Sequence, residues 1–183
     1  MNKFVFLDLD ETLIHAEYNY FGKDRVRVDF TLDSGGWDMQ TTESYGVKLR
    51  PNAHEFLKTL RRLYPNVYML TAAISEYGHG MNDAFDLGFT SEQIIGRDLW
   101  NALYTSTVKP YSFTDEPCYS VLIDNQYHTD TNARDKMGYL KLFGKAHYIK
   151  IKDFYGHHKD ELTENIINDL VNKIEEGFNL MCN

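Results

Sequence analysis

Hydrophobic and polar positions along this chain fall into blocks with different rhythms. Phe4-Val5-Phe6-Leu7 is a continuous apolar run, aromatic and β-branched, which predicts a short strand buried on both faces. From His15 to Gly46 the helical period is missing. Val26, Val28, Phe30 and Leu32 alternate there with Arg25, Arg27, Asp29 and Thr31, Asp33-Ser34-Gly35-Gly36 supplies turn residues, and Trp37, Met39 and Thr41 resume the alternation. That pattern predicts a β-hairpin with Trp37 near its tip. Because it leaves the chain directly after the first strand, the hairpin is expected to stand over that strand's end as a flap, spanning about residues 15–46.

Beyond the flap the periods alternate. Arg50-Pro51-Asn52 opens a helix with an apolar stripe of Ala53, Phe56, Leu57 and Leu60, and Pro65-Asn66 ends it. Val67-Tyr68-Met69-Leu70 reads as a second buried strand, Ser75 through Phe85 as a helix, and Ile94-Ile95-Gly96 as a brief third strand. Ser120-Val121-Leu122-Ile123 and Ala146 through Ile151 give two more strands, and an amphipathic helix closes the chain with Leu162, Ile166, Ile167, Leu170, Val171 and Ile174 on its buried stripe. Residues 97–119 carry no readable period, although Val108-Lys109-Pro110 stands out within them. Strands alternating with helices predict an α/β fold, a Rossmann-like doubly wound parallel sheet with right-handed crossovers. At 183 residues the chain suits one domain spanning 1–183 with the flap as its insertion.

Composition narrows the function. A formal charge of −8 leaves no net field to attract a long polyphosphate backbone, which argues against a nucleic-acid-coating protein but not against a site for one phosphate. Cys118 and Cys182 have no CxxC spacing, so neither a disulfide framework nor a zinc site is indicated. The apolar run behind Met1-Asn2-Lys3 is too short for a signal peptide, and none approaches a membrane span. The expectation is a cytoplasmic protein without membrane contact, monomeric by default.

The chemistry concentrates at strand ends. The first strand closes on Asp8 and Asp10, and burying acids there is costly unless a cation or hydrogen-bond donors compensate. The carboxyl edge of an open α/β sheet is where ligands bind, so the pair suggests a metal or phosphate site. Thr71 and the backbone of Ala72 follow the second strand, where a hydroxyl and a helix-start N–H can donate to phosphate. Lys109 offers a point charge for phosphate oxygens, and Asp124-Asn125 offers hard oxygen ligands suited to Mg²⁺. A carboxylate nucleophile, a screening cation, donors for the equatorial oxygens and an acid for the leaving group are the parts a phosphomonoester hydrolase needs. His157 and His158, by contrast, read as solvated residues ahead of the last helix.

Asp8-Leu9-Asp10-Glu11-Thr12, Thr71, Lys109 and Asp124-Asn125, in that order, resemble the four motifs of the haloacid dehalogenase (HAD) superfamily of phosphohydrolases. The string DLDETLIH, the hairpin insertion, Lys48-Leu49-Arg50-Pro51 ahead of a helix, Leu70-Thr71-Ala72-Ala73 and Ile123-Asp124-Asn125 resemble its NLI-interacting-factor-like branch, which includes the RNA polymerase II C-terminal-domain phosphatases. The likeness is weakest between about 86 and 108 and from Gln126 to Lys145. It implies a HAD-like fold without a large cap and a Mg²⁺-dependent phosphatase working through an aspartyl-phosphate. Asp8 would be the nucleophile, Asp10 the leaving-group acid and later the base, with its carbonyl on the metal, and Thr12 would orient Asp10. Thr71 and Lys109 would bind the phosphoryl group, Asn125 would ligate the metal, and Asp124 would either reach it through water or pair with Lys109. The implied substrate is a phosphoserine or phosphothreonine protein. A nucleotide or polynucleotide-end phosphatase, with Arg25, Arg27, Arg50 and the flap aromatics holding a terminal nucleotide, is the enzyme alternative, and an idle phospho-binding module the non-enzymatic one.

Overall fold

The computed structural model describes residues 2–33, 40–100 and 118–182. Its first strand, β1 (Lys3–Leu7), is the middle of a five-stranded parallel sheet. On one side lie β5 (Val67–Leu70) and then β6 (Ile94–Ile95), and on the other β7 (Cys118–Asp124) and then β8 (Gly144–Lys150). A strand in that position must be apolar on both faces, and β1 is: Val5 and Leu7 enter one core, Phe4 and Phe6 the other. The first core is closed by α1 (Ala53–Leu63), α2 (Ser75–Phe85) and α4 (Glu164–Cys182). The second is closed by α3 (Thr131–Lys141), with Trp100, Met137, Tyr139 and Leu140 against the sheet. Each fully buried Leu or Phe contributes on the order of 2 kcal/mol, so the two cores fix the sheet and its carboxyl edge firmly.

The predicted helix stripe of Ala53, Phe56, Leu57 and Leu60 is buried. The last helix is turned slightly from its expected face: Ile167, Leu170 and Ile174 are buried, Ile166 is exposed, and the buried Leu162 precedes the helix. The stripe continues instead through Gly177, Phe178 and Met181. Helix α3 has no counterpart in the sequence reading. Residues Thr131–Lys141 carry only Ala133, Met137 and Leu140 at helical spacing among polar neighbours, a thin signal.

The flap is larger than a hairpin. β3 (Val26–Asp33) pairs with β4 (Gln40–Leu49) as expected, but β2 (Ile14–Tyr18) joins the other edge of β4 in a three-stranded antiparallel sheet. β2, Ile-His-Ala-Glu-Tyr, alternates over only five residues directly behind the turn after β1, and register with β4 fixes it as a strand. Gly46 permits the chain to cross there, since a Cβ at that position would meet the Tyr20 carbonyl oxygen at 1.7 Å. Trp37 and the expected tip lie outside the described residues. Cys118 is buried, with its thiol donating to the Phe143 carbonyl at 3.3 Å, and Cys182 is exposed. Among the described residues no helix is long and apolar enough to cross a membrane.

Candidate active site

Strand register assembles the site. β1 lies between β5 and β7 with Leu7 opposite Met69 and Ile123, so Asp8, Thr71 and Asp124 emerge side by side at the carboxyl edge. The Asp8 N–H continues the ladder by donating to the Ile123 carbonyl at 2.9 Å. The chain then curls rather than extending. Leu13 and Ile14 N–H groups return to the Leu9 carbonyl at 2.8 and 3.1 Å, and Glu11 adopts a left-handed φ of 55°. A side chain at that φ is uncommon and is held by its surroundings. Here they are the Glu11 N–H on Ile14 and the Phe154 N–H on the Glu11 carbonyl. The curl is stapled from outside by Arg50. Its buried guanidinium donates to the carbonyls of Thr12, Lys152 and Asp160 at 3.0, 3.0 and 2.8 Å, tying three loops together.

The centre of the site is a residue that the sequence reading missed. Lys136, fully buried on α3, donates to Asp8 Oδ1 at 2.5 Å and to Asp124 Oδ2 at 2.9 Å. Burial opposes its charge, but the Asp8 and Asp124 carboxylates outweigh that and hold its pKa above the ordinary value. Asp8 is pushed upward by burial, with Asp124 and Asp10 adding to the rise and Lys136 working against it. Asp124 is thus the partner of a lysine, and its other oxygen accepts the Gln126 N–H at 2.8 Å. Lys109 lies outside the described residues. One signal for Lys136 was present: it follows Ala133 by three positions and precedes Met137 and Leu140, so it falls on the apolar face of its helix.

The other predicted residues gather around this pair. Thr12 is buried, and its hydroxyl lies 3.1 Å from Asp8 Oδ2 and 3.3 Å from Asn125 Oδ1, so its contacts run to these two rather than to Asp10. The Asn125 amide donates to Asp153 Oδ1 at 3.1 Å, which turns its oxygen toward Thr12 and Asp8. Thr71 is buried, and its hydroxyl accepts the Ala73 N–H at 3.1 Å and donates to Asp10. Ala72 is half-buried beside it. Asp10 is half-buried, its pKa raised by burial against the donated hydrogen bonds of Tyr77 and Thr71. Tyr77, absent from the sequence reading, donates to Asp10 Oδ1 at 2.5 Å. Beside it, Phe30, Glu43, Tyr45, Ala73, Ile74, Tyr77 and Arg97 line a cleft of about 230 Å³ between flap and α2. His157 and His158 are exposed, as expected.

The donor set was weighed against a divalent cation. Asp8, Asp10 and Asp124 bring three carboxylates together against the single ammonium of Lys136, an excess of negative charge that low-dielectric surroundings penalise. The oxygens near Asp8, among them the aligned Asn125 Oδ1, are hard ligands of the kind Mg²⁺ takes. Among the described residues no group of three or more His, Cys, Asp or Glu side chains is arranged to hold a metal. The described residues thus offer a cation carboxylate and amide oxygens rather than a cluster of three acidic ligands.

The family model for NLI interacting factor-like phosphatases matches residues 3–178. Phosphatase PSR1 of Saccharomyces cerevisiae is 28% identical over 163 residues, covering 88% of this chain and 34% of that protein, so the chain spans about a third of the curated relative's length. Among solved structures, that of Fcp1, an essential RNA polymerase II CTD phosphatase, superposes with a TM-score of 0.50 at 17% identity, over 95% of this chain and 49% of that one. At that identity the likeness speaks for the fold, the HAD-type α/β architecture, alone. The family match covers nearly the whole chain, both sheets and the carboxyl edge between them, and the chain belongs to the NLI interacting factor-like phosphatase family.

Proposed function

We propose that this protein is a Mg²⁺-dependent phosphomonoesterase that transfers the phosphoryl group to Asp8, with phosphoserine or phosphothreonine in a protein as its substrate. The observation that carries the reading is the unequal treatment of the two acids. Asp8 sits in a buried ion-paired network with Lys136 and Asp124, and Asp10 is held by the hydroxyls of Tyr77 and Thr71, the first of which lines the cleft under the flap. A carboxylate ion-paired to a lysine is suited to attack, and one supported by neutral donors is suited to exchange a proton.

In this reading the phosphate enters at the carboxyl edge of the sheet. Asp8 attacks phosphorus while Asp10 protonates the departing ester oxygen. Asp10 then takes a proton from the water that cleaves the acyl phosphate. Thr71, the Ala72 backbone and Lys109 hold the phosphoryl oxygens, and Lys136 keeps Asp8 and Asp124 aligned. Asp8, the Asp10 carbonyl and Asn125 would hold Mg²⁺, beside Asp124, whose oxygens accept from Lys136 and the Gln126 N–H. When bound, the ion would neutralise the charge that builds between nucleophile and phosphate.

A protein substrate is favoured by two considerations. Relatives named as phosphatases include one titled for the RNA polymerase II C-terminal domain. The groups that would hold a nucleotide are also committed elsewhere. Arg50 is buried on backbone carbonyls, Arg25 pairs with Glu17 at 3.0 Å, and Arg27 pairs with Asp29 at 2.9 Å. A panel of phosphopeptides, nucleoside monophosphates and 3′-phosphorylated oligonucleotides tests the assignment. Phosphopeptides are expected to give the highest kcat/KM, and preference for either other class would overturn it. Phosphopeptide binding without phosphate release would instead identify a binding module. Chelation by EDTA should stop turnover and added Mg²⁺ restore it, whereas full activity in EDTA would remove the metal from the scheme.

A further inference from the structure

Among the described residues, Tyr77 is the side chain bonded to Asp10 that belongs to none of the sequence motifs and to no step of the reaction above. It sits on the first turn of α2 and is 8% exposed, with its hydroxyl 2.5 Å from Asp10 Oδ1. Its ring is clamped by the flap: the Phe30 ring lies 5.2 Å away and the Tyr45 ring 5.5 Å away, edge-on. Those two are braced in turn, Phe30 against Tyr45 at 5.7 Å and Tyr45 against Tyr18 at 5.5 Å. Such ring pairs attract beyond area burial and, together, restrict rotation. The flap reaches α2 because Gly80, three residues on from Tyr77, has no side chain. A Cβ there would lie 2.1 Å from a Phe30 ring carbon. The contact is built into both partners.

The geometry points to Tyr77 as a positioning residue for leaving-group departure: its hydroxyl holds the Asp10 carboxyl in the orientation that delivers a proton, and the flap rings hold that hydroxyl in place. This deepens, and rests on, the reading of Asp10 as the leaving-group acid. In the step concerned, the Asp8 oxygen–phosphorus bond forms as the phosphorus–ester oxygen bond breaks. The electron pair left on the ester oxygen takes the proton of Asp10, and Tyr77 keeps its own throughout. Protonation matters most for esters whose alcohol is a poor leaving group and little for nitrophenyl esters, whose anion is stable by itself. Loss of a positioning contact should therefore grow with leaving-group basicity, whereas a merely structural fault should lower all esters alike.

The test is kcat/KM across nitrophenyl, phenyl and alkyl phosphates for the wild type, Tyr77→Phe, Phe30→Ala and Asp10→Ala. This ratio covers the steps through ester cleavage. Asp10→Ala calibrates the series and should show the steepest dependence. Tyr77→Phe should lose about tenfold on alkyl esters and no more than about twofold on nitrophenyl phosphate. Phe30→Ala should tilt the series the same way by a smaller factor. Equal loss on all esters, or none, in Tyr77→Phe while Asp10→Ala is steep would overturn the Tyr77 assignment alone. A flat series in Asp10→Ala would overturn the Asp10 reading and this inference with it. A tilt in Tyr77→Phe without one in Phe30→Ala would overturn the clamping role of the flap.

Discussion

Asp8 and Asp10 are two residues apart in sequence and sit in different surroundings. Asp8 belongs to the sheet edge: buried, hydrogen-bonded to Lys136 and Thr12, and enclosed by elements from both ends of the chain. Asp10 belongs to the flap side: half-buried and supported by the Thr71 hydroxyl and by that of Tyr77, which lines the cleft with Phe30 and Tyr45. The curl at Glu11 turns one strand end into two environments. The difference teaches how identical side chains can take unequal chemical work. Burial raises both acids; at Asp8 a lysine works against that rise and favours the charged nucleophile, whereas Asp10 has hydroxyl donors, which leave room for a proton to come and go.

The comparison breaks most completely at Asp8. Asp8→Asn should reduce turnover of an aryl phosphate by at least about 10⁴-fold while circular dichroism stays unchanged, because the amide keeps the shape and loses the nucleophile. Next comes Lys136→Met, which leaves Asp8 and Asp124 facing each other without a cation. It should cost about 3 kcal/mol in chemical denaturation and lower kcat on the order of 100-fold. Stability and kcat both equal to the wild type would show that Lys136 is a bystander. The smallest effect should come from the flap. Gly46→Ala drives a Cβ into the Tyr20 carbonyl, and it is expected to cost about 1–3 kcal/mol of stability. Its kcat/KM on nitrophenyl phosphate should fall no more than about threefold, since cleavage of that ester needs little help from Asp10 as an acid. A loss there as deep as that of Lys136→Met would erase the distinction between the two sides.

The sheet edge was largely legible in the sequence because its residues end buried apolar runs. Phe4 through Leu7 stops at Asp8, Val67 through Leu70 at Thr71, and Ser120 through Ile123 at Asp124, and strand register did the rest. Lys136 was not legible, since a lysine amid Arg134, Asp135 and Lys141 looks like one of a solvated face. Only the packing of α3 against β7 and β8 turns it inward, and it is kept there by the carboxylates it meets. Tyr77 was hidden for the opposite reason: an aromatic at helical spacing reads as core, and its hydroxyl partner comes from a distant strand end. The flap hairpin was read from its long alternation, but β2 was not, because its five alternating residues are few and its partner β4 lies far along the chain.

The central claim is that Asp8 attacks phosphorus, and the most direct measurement is mass spectrometry of enzyme quenched in acid during turnover, followed by peptide mapping. The account predicts a phosphoryl adduct on the peptide containing Asp8, absent in Asp8→Asn and replaced by a reduced side chain after borohydride treatment. An adduct on another residue, or turnover with no adduct at any quench time, would contradict it.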